Sequence, residues 1–251
     1  MKQLILIGLF FVGVMFKTNA QFIEAGQIDF EVKTSLKKTM GSSSWAEMMK
    51  DKLPDFKTVY FKYNFSGNKS LYQFDHWENK EIIPEMFRQS DEKSVWYSDY
   101  NSHQFNMQKE VFGSSFNVKD SLTKIEWKLS NENRIIAGYN CRKATGKIMD
   151  SVYVFAFYTE EITIPGGPCT INGLPGMILG LTIPRLYSSW IATKVTTNAK
   201  APSIIEPSIT KNIFNKTTVK ETLIEKTKGW MSGDDAESRK WLDQLIWNVM
   251  L

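Results

Sequence analysis

Two histidines occur in the 251-residue chain, His76 and His103, and imidazole is both the neutral-pH acid–base group and a frequent metal ligand. His76 lies in Asp75-His76-Trp77 on an expected strand, and His103 in the turn Asn101-Ser102-His103. Together with a carboxylate they could hold zinc, which takes three or four such ligands. A metal-dependent hydrolase using His76 and His103 is therefore the enzymatic reading. No ligand-spacing motif surrounds either residue, so ordinary strand and loop histidines are the simpler account. No Gly-x-Ser-x-Gly elbow is present for a serine nucleophile. Glu160-Glu161 is a carboxylate pair, but adjacent strand residues point to opposite faces, so solvated turn residues are expected there. No catalytic residue, cofactor or metal is assigned, and the chain reads as non-enzymatic.

Residues 1–20 carry a basic start, an apolar run from Leu4 to Phe16 and a small residue at Ala20, the pattern of a secretory signal peptide. Cleavage after Ala20 leaves Gln21 first. The run is short of the roughly 20 residues that span a bilayer, and no later segment approaches that length. An exported protein is expected, periplasmic or extracellular, with outer-membrane association as one form. Cys141 and Cys169 would then meet oxidising conditions that favour a disulfide; two separate buried thiols are the alternative. The chain has 31 basic and 27 acidic residues, and removing Lys2 and Lys17 leaves 29 against 27, a net of +2. That balance argues against a nucleic-acid partner or an anionic membrane surface.

Residues 21–251 are long enough for one well-buried domain. Ile28, Phe30 and Val32 alternate with polar neighbours, and Val59, Phe61, Tyr63 and Phe65 share one face of the next strand. Ser66-Gly67-Asn68-Lys69 turns the chain into Leu71–Trp77. Ser44 and Glu47 form an expected capping box for a helix from Trp45 to Leu53, and residues 78–92 read as a loop with at most one helical turn. Short strands follow at Val95–Tyr100, Gln104–Phe112, Ser115–Val118 and Ile125–Leu129. A turn at Asn131-Glu132-Asn133 leads into Arg134–Thr145. The apolar run Val152–Thr159 predicts a strand covered on both faces, and Ser188–Thr197 another strand. Residues 198–207 form a connector, Thr218 with Glu221 opens a helix over Val219–Lys228, and 234–251 is an amphipathic C-terminal helix. The fold class is mainly β: a curved antiparallel meander or partly open barrel with short helices.

Gly173-Leu174-Pro175-Gly176-Met177-Ile178 contains no nucleophile, acid, base or metal ligand. Pro175 fixes its own φ, and Gly176 can take the positive φ that the third position of a type II turn demands. The motif is read as a structural turn feeding a buried strand. It resembles the hexapeptide of the GLPGLI family of secreted Gram-negative envelope proteins, and residues 127–194 carry the densest similarity. Those residues include Gly138-Tyr139-Asn140-Cys141-Arg142-Lys143-Ala144 and Ala156–Ile162; Phe157 stands where that family usually has Trp, and Met177 where it has Leu. The resemblance implies a secreted envelope protein with no assigned biochemical activity.

Aromatic residues are abundant: 16 Phe, 9 Tyr and 8 Trp. They could form one large core. Alternatively Tyr60, Phe61, Phe74, Trp96, Trp127 and Phe155 could line an apolar groove for a lipophilic ligand or an extended peptide, as in the partly open barrels that carry lipoproteins. A surface for an outer-membrane transport complex is a third option. The expectation is an envelope binding or accessory protein of unknown ligand, with the hydrolase or a structural surface protein as alternatives.

Overall fold

Alternating apolar and polar residues make strands of most of this chain, and the computed structural model places them in one sheet. It describes residues 22–40, 44–78, 80–111, 113–197, 201–228 and 236–251. The expected signal peptide at 1–20 lies outside the described residues. In chain order the elements are β1 (Ala25–Ser35), α1 (Leu36–Thr39), α2 (Ser44–Lys50), β2 (Phe56–Ser66), β3 (Lys69–Trp77), α3 (Glu85–Glu92), β4 (Val95–Asp99), β5 (Gln104–Val111) and β6 (Ser114–Ser121). Then come β7 (Lys128–Ile136), β8 (Tyr139–Ile148), β9 (Val152–Thr159), β10 (Met177–Ile183), β11 (Ser188–Thr196), β12 (Ile213–Phe214), α4 (Lys216–Thr227) and α5 (Ala236–Met250). The sheet order is β12-β6-β5-β4-β3-β2-β1-β11-β10-β9-β8-β7. Two meanders, β1–β6 and β7–β11, meet along the β1–β11 ladder. Between the named strands pairing is antiparallel except for the short β12–β6 ladder, and Ile23 makes an isolated parallel bridge to Ile162. The sheet is curved and does not close into a barrel. No helix among the described residues is long and apolar enough to cross a membrane.

Several expected boundaries move, each for a local reason. The turn at Asn131-Glu132-Asn133 is instead an irregularity inside β7, where the register shifts between Leu129 and Asn133. The real turn is Ala137-Gly138, with φ of 48° and 87°, the consecutive positive values that two-residue hairpins require. Ile125–Leu129 is not one strand: Ile125 is buried, Trp127 half-buried and Leu129 exposed, so these three residues do not share a face. Residues 78–92 hold a full helix, α3. Asn215, rather than Thr218, caps α4: its side chain accepts from Thr218 N, while Thr218 Oγ1 accepts from Asn215 N. Ser44 lies within α2 rather than before it, and the first residues of the expected C-terminal helix, Asp234 and Asp235, are outside the described residues.

One face of the sheet holds the main core. Ile28, Phe30, Tyr63, Phe65, Tyr72, Phe105 and Phe116 are almost fully buried on β1–β6, and Ala144, Val152, Val154, Ala156 and Leu181 on β8–β10. The segment between β9 and β10 fills the concavity. Its Ile162, Ile164, Ile171 and Leu174 are buried, and Gly166 lies so close to Tyr63 and Tyr100 that an added Cβ would collide with both hydroxyls. Those hydroxyls are 2.9 Å apart, with Ser70 Oγ 3.2 Å from the Tyr100 oxygen. At one rim α5 docks: Trp96 Nε1 donates to Leu251 O at 2.7 Å, and the Arg185 guanidinium lies 5.4 Å from the Trp247 ring.

The expected cover over the second face of Val152–Thr159 comes from β7. Arg134 stacks 4.5 Å from the centre of the Phe157 ring. Ile136 Cδ1 lies 2.8 Å from where a Gly180 Cβ would stand. The β7–β8 hairpin therefore coils over the outer side of β9 and β10, where right-handed strand twist carries an edge strand. Only the half of β9 from Ala156 onward is covered this way; Tyr153 is exposed.

Candidate functional site

Along β3 the side chains alternate until Phe74, and there the ladder slips. Phe61 pairs with Phe74 and Tyr60 with His76, which leaves Asp75 as an extra residue. A bulge of this kind re-aims side chains and recurs beside functional sites. Here Asp75 and His76, adjacent in sequence, both reach groups on the outer face. His76 stacks on Tyr60 with ring centres 4.5 Å apart and planes 8° from parallel. Its Nδ1 is 2.8 Å from Asp75 Oδ2, and Lys62 Nζ donates to Asp75 Oδ1 at 2.5 Å. Tyr60 donates its hydroxyl proton to Glu31 Oε2 at 3.1 Å, and Lys33 lies 3.2 Å from Glu31.

The electrostatics follow from these contacts. Partial burial and the Glu31 carboxylate push the Tyr60 hydroxyl above its ordinary value. Desolvation opposes ionisation of Asp75, yet Lys62 and His76 outweigh it and hold the carboxyl below its ordinary value. Lys62 is raised by the same bond. The result is a pair of flat rings flanked by two carboxylates that can only accept and by an ammonium that can only donate.

This cluster is one end of a transverse row. His76 pairs with Tyr60, Tyr60 with Glu31, Glu31 with Ile191, Ile191 with Gly180, Gly180 with Phe157, and Phe157 with Lys143. Seven strands thus contribute one residue each to a line across the outer face, about 29 Å long at ~4.8 Å per strand. Ile191 is exposed in its middle, whereas Gly180 and Phe157 are buried beneath Ile136 and Arg134 of β7. At the far end Lys143 Nζ donates to Glu132 Oε2 at 2.5 Å, and Arg134 donates to Glu132 Oε1 at 2.8 Å.

The six residues expected to line an apolar groove are not together. Phe61, Phe74 and Trp96 pack edge-on in the main core, with Phe61–Phe74 centres 6.1 Å and Phe61–Trp96 centres 6.0 Å apart. Tyr60 is on the opposite face. Trp127 covers Gly146 from the inner side and donates to Asn172 O at 3.0 Å. Phe155 is on the outer face, 6.0 Å from Lys143 Nζ. The groove is corrected to a core, because the β9–β10 segment occupies the concavity where a ligand would sit. The hydrolase reading fails on distance: His103 lies past the Lys69–Asp99 end of β3, while His76 is seven residues along it, on the order of 20 Å away. Glu160 and Glu161 are exposed turn residues.

The disulfide is also corrected. Cys141 and Cys169 are both free and buried. Cys141 shares the outward parity of Lys143 on β8, whereas Cys169 belongs to the segment filling the inner face, so the sheet lies between them. Burial pushes each thiol up to about 12. In the glycine-proline motif, Gly176 N donates to Leu174 O at 2.8 Å, a three-residue turn about Pro175 in place of the expected type II turn. Gly176 has φ 148°, and a Cβ there would strike Thr159 O. Gly173 and Pro175 are exposed while Leu174, Met177 and Ile178 are buried. The motif anchors β10 against β9.

A family model described as the N-glycanase peptide, N-terminal domain, matches residues 84–229, more than half of the chain, and the chain belongs to this family. That match overturns the GLPGLI resemblance, whose hexapeptide is accounted for by the backbone approach at Gly176. Among solved structures, PNGF-II in the P21 space group is 17% identical with a TM-score of 0.50, over 79% of this chain and 32% of that one. PNGF-II in the C2 space group is 18% identical with a TM-score of 0.47, over 78% and 32%. An uncharacterized conserved protein from Thermus thermophilus is 6% identical with a TM-score of 0.38, over 76% and 90%. The first of these shows a shared fold. The chain spans about a third of the length of the PNGF-II structures it matches. No curated protein matches.

Proposed function

We propose that this chain is an exported, non-catalytic recognition domain that binds the carbohydrate of a glycan-bearing protein or peptide. The observation that carries the reading is the Tyr60–His76 stack with Glu31 and Asp75 on its flanks. A sugar presents C–H faces that pack on aromatic rings and hydroxyls that donate to carboxylates, and this cluster offers both on an exposed sheet face. Membership of an N-glycanase N-terminal family supports a glycan-related role without assigning the cleavage reaction to this chain. Pre-set cross-strand pairs lower the side-chain ordering that binding would otherwise cost.

Calorimetric titration with an N-linked glycopeptide and with the same peptide lacking its glycan tests this. Binding confined to the glycosylated form, and lost in Tyr60→Ala and His76→Ala with unchanged circular dichroism, is the expected result. Equal binding of both peptides would move recognition to the polypeptide and overturn the reading.

A further inference from the structure

The connection between β11 and β12 leaves the middle of the sheet and returns at its β6 edge. Its residues 201–211 lie over the outer face of β4–β6. Asn106 Nδ2 donates to Glu206 Oε1, and Lys119 Nζ lies 3.5 Å from the same oxygen. Asn117 Nδ2 donates to Lys211 O at 2.7 Å. Tyr97 pairs with Asn106 across β4 and β5 and, alternating with Trp96, points away from the core, yet it is buried. Burial raises its hydroxyl above the ordinary value; Lys69 opposes this, and Asp99 and Glu206 add to it. The covering segment is different. Every residue from Ala201 to Lys211 is exposed or half-buried, and none belongs to the core. A segment of that kind can open locally without global unfolding. Beyond it the chain is pinned again at Lys216, whose N donates to Asp120 Oδ2 at 2.9 Å.

The segment also repeats itself. Pro202-Ser203-Ile204 and Pro207-Ser208-Ile209 flank Ile205 and Glu206, and in both triplets Pro and Ile are half-buried while Ser is exposed. The sheet thus receives the same pair of side chains twice, and proline keeps the segment extended at low entropic cost. One buried group beneath it stays unmatched. Asn117 is 8% exposed, and its Oδ1 has no donor among the described residues. A buried acceptor without a donor is costly, so residues 201–211 are an imperfect occupant. We infer that the outer face of β4–β6 is a recognition groove for an extended acidic peptide of a partner protein, with two Pro-x-Ile triplets around a carboxylate, and that residues 201–211 occupy it in cis as a displaceable cover. Asn106 and Lys119 read the carboxylate, Asn117 reads the main chain, and Tyr97 lies beneath. The cis copy competes at high effective concentration, so only a better-matched peptide displaces it. The groove lies two strands from the Tyr60–His76 stack and shares no residue with it, so it stands whether or not that stack binds sugar.

The test titrates a fluorescent synthetic peptide of residues 201–211 against the whole chain. Glu206→Lys in the protein sets the cover against Lys119. It should raise affinity for the peptide at least about tenfold over the unaltered chain, because the cis competitor is weakened. Amide exchange at residues 201–211 should quicken while circular dichroism stays unchanged. Adding Asn106→Ala and Asn117→Ala to that variant should remove the gain. A peptide carrying Ile204→Ser and Ile209→Ser should bind severalfold more weakly. Quickened exchange without peptide binding would overturn the groove, since the face would then be open and unused. Exchange that stays slow in Glu206→Lys would show that the cover is fixed, and the inference fails. Equal binding of the serine-substituted peptide would overturn recognition of the triplets.

Discussion

Between β1 and β6 the core is dominated by Phe30, Tyr63, Phe65, Tyr72, Trp96 and Phe105, whereas between β8 and β11 it is mostly aliphatic, with Ala144, Val152, Val154, Ala156 and Leu181 alongside the aromatic residues Tyr158 and Trp190. The first region is held by rings meeting at angles: Phe30 stands edge-on to both Tyr63 and Tyr72, with centres 6.2 and 6.1 Å apart. The second is held by close approach, with Gly176 against the Thr159 carbonyl and Gly180 beneath Ile136. Rings are large and directional, so losing one leaves a void its neighbours cannot collapse into. Small side chains bring backbones together, so adding an atom forces them apart. The two halves of one sheet should therefore fail in opposite ways.

The largest expected effect is in the aromatic half. Phe30→Ala should cost about 3–5 kcal/mol in urea unfolding; a loss under about 1 kcal/mol would mean that the rings collapse as readily as aliphatic groups. In the other half Gly176→Val should cost on the order of 3 kcal/mol, from a positive φ and a collision with backbone. Gly67→Val is its control, since Gly67 also has positive φ, 55°, but has open space where a Cβ would lie. Equal losses at the two glycines would show that φ alone matters and would remove close approach from the account.

Next comes the junction between the halves. Tyr100→Phe leaves the Tyr63 hydroxyl, fully buried, without one of its partners and should cost about 1–3 kcal/mol. An unchanged midpoint would mean that the β9–β10 segment is held by packing alone. The free thiols differ from each other in face but not in behaviour. With each pushed up to about 12 by burial, the folded state holds protons that the unfolded state releases at lower pH. Their contribution is intact below the ordinary thiol range and is lost as pH rises from about 9 toward 12. Native protein at neutral pH should not react with a thiol reagent until denatured; rapid modification of one cysteine would place it at the surface.

The smallest effect is on the outer face. Asp75 is held below its ordinary carboxyl value, so its contribution is present at neutral pH and fades as pH falls through that lowered value. Asp75→Asn should cost no more than about 1 kcal/mol, since the pair is partly solvated, and should remove that part of the acid sensitivity. A larger loss would give the outer cluster a structural role and weaken its reading as a binding surface.

Much of this arrangement was legible before any coordinates. The shared face of Val59, Phe61, Tyr63 and Phe65 follows from alternation, as do most of the strands and the apolar spacing of the C-terminal helix. Gly176 could be read as a positive-φ position, and Ser66-Gly67-Asn68-Lys69 as a turn. What misled was the assumption that neighbours along a strand never share a face. The slip between Phe74 and His76 breaks that rule and builds the Asp75–His76 pair, which nothing in the local sequence signals. The turn at Ala137-Gly138 was masked because Asn131-Glu132-Asn133 has stronger turn composition, although the ladder absorbs those residues as an irregularity.

By itself the sequence determined local matters: which residues alternate, where the backbone needs glycine, and how much aromatic volume must be buried. Those depend on sterics within a few residues and on transfer from water, which any compact fold must satisfy. Only the tertiary structure decided that the β9–β10 segment fills the concavity, that β7 covers Phe157 and Gly180, and that the sheet parts Cys141 from Cys169. Those outcomes depend on which strands become neighbours across long stretches of chain. Pairing of that kind is set by the summed packing of both meanders, a quantity no short stretch of chain contains.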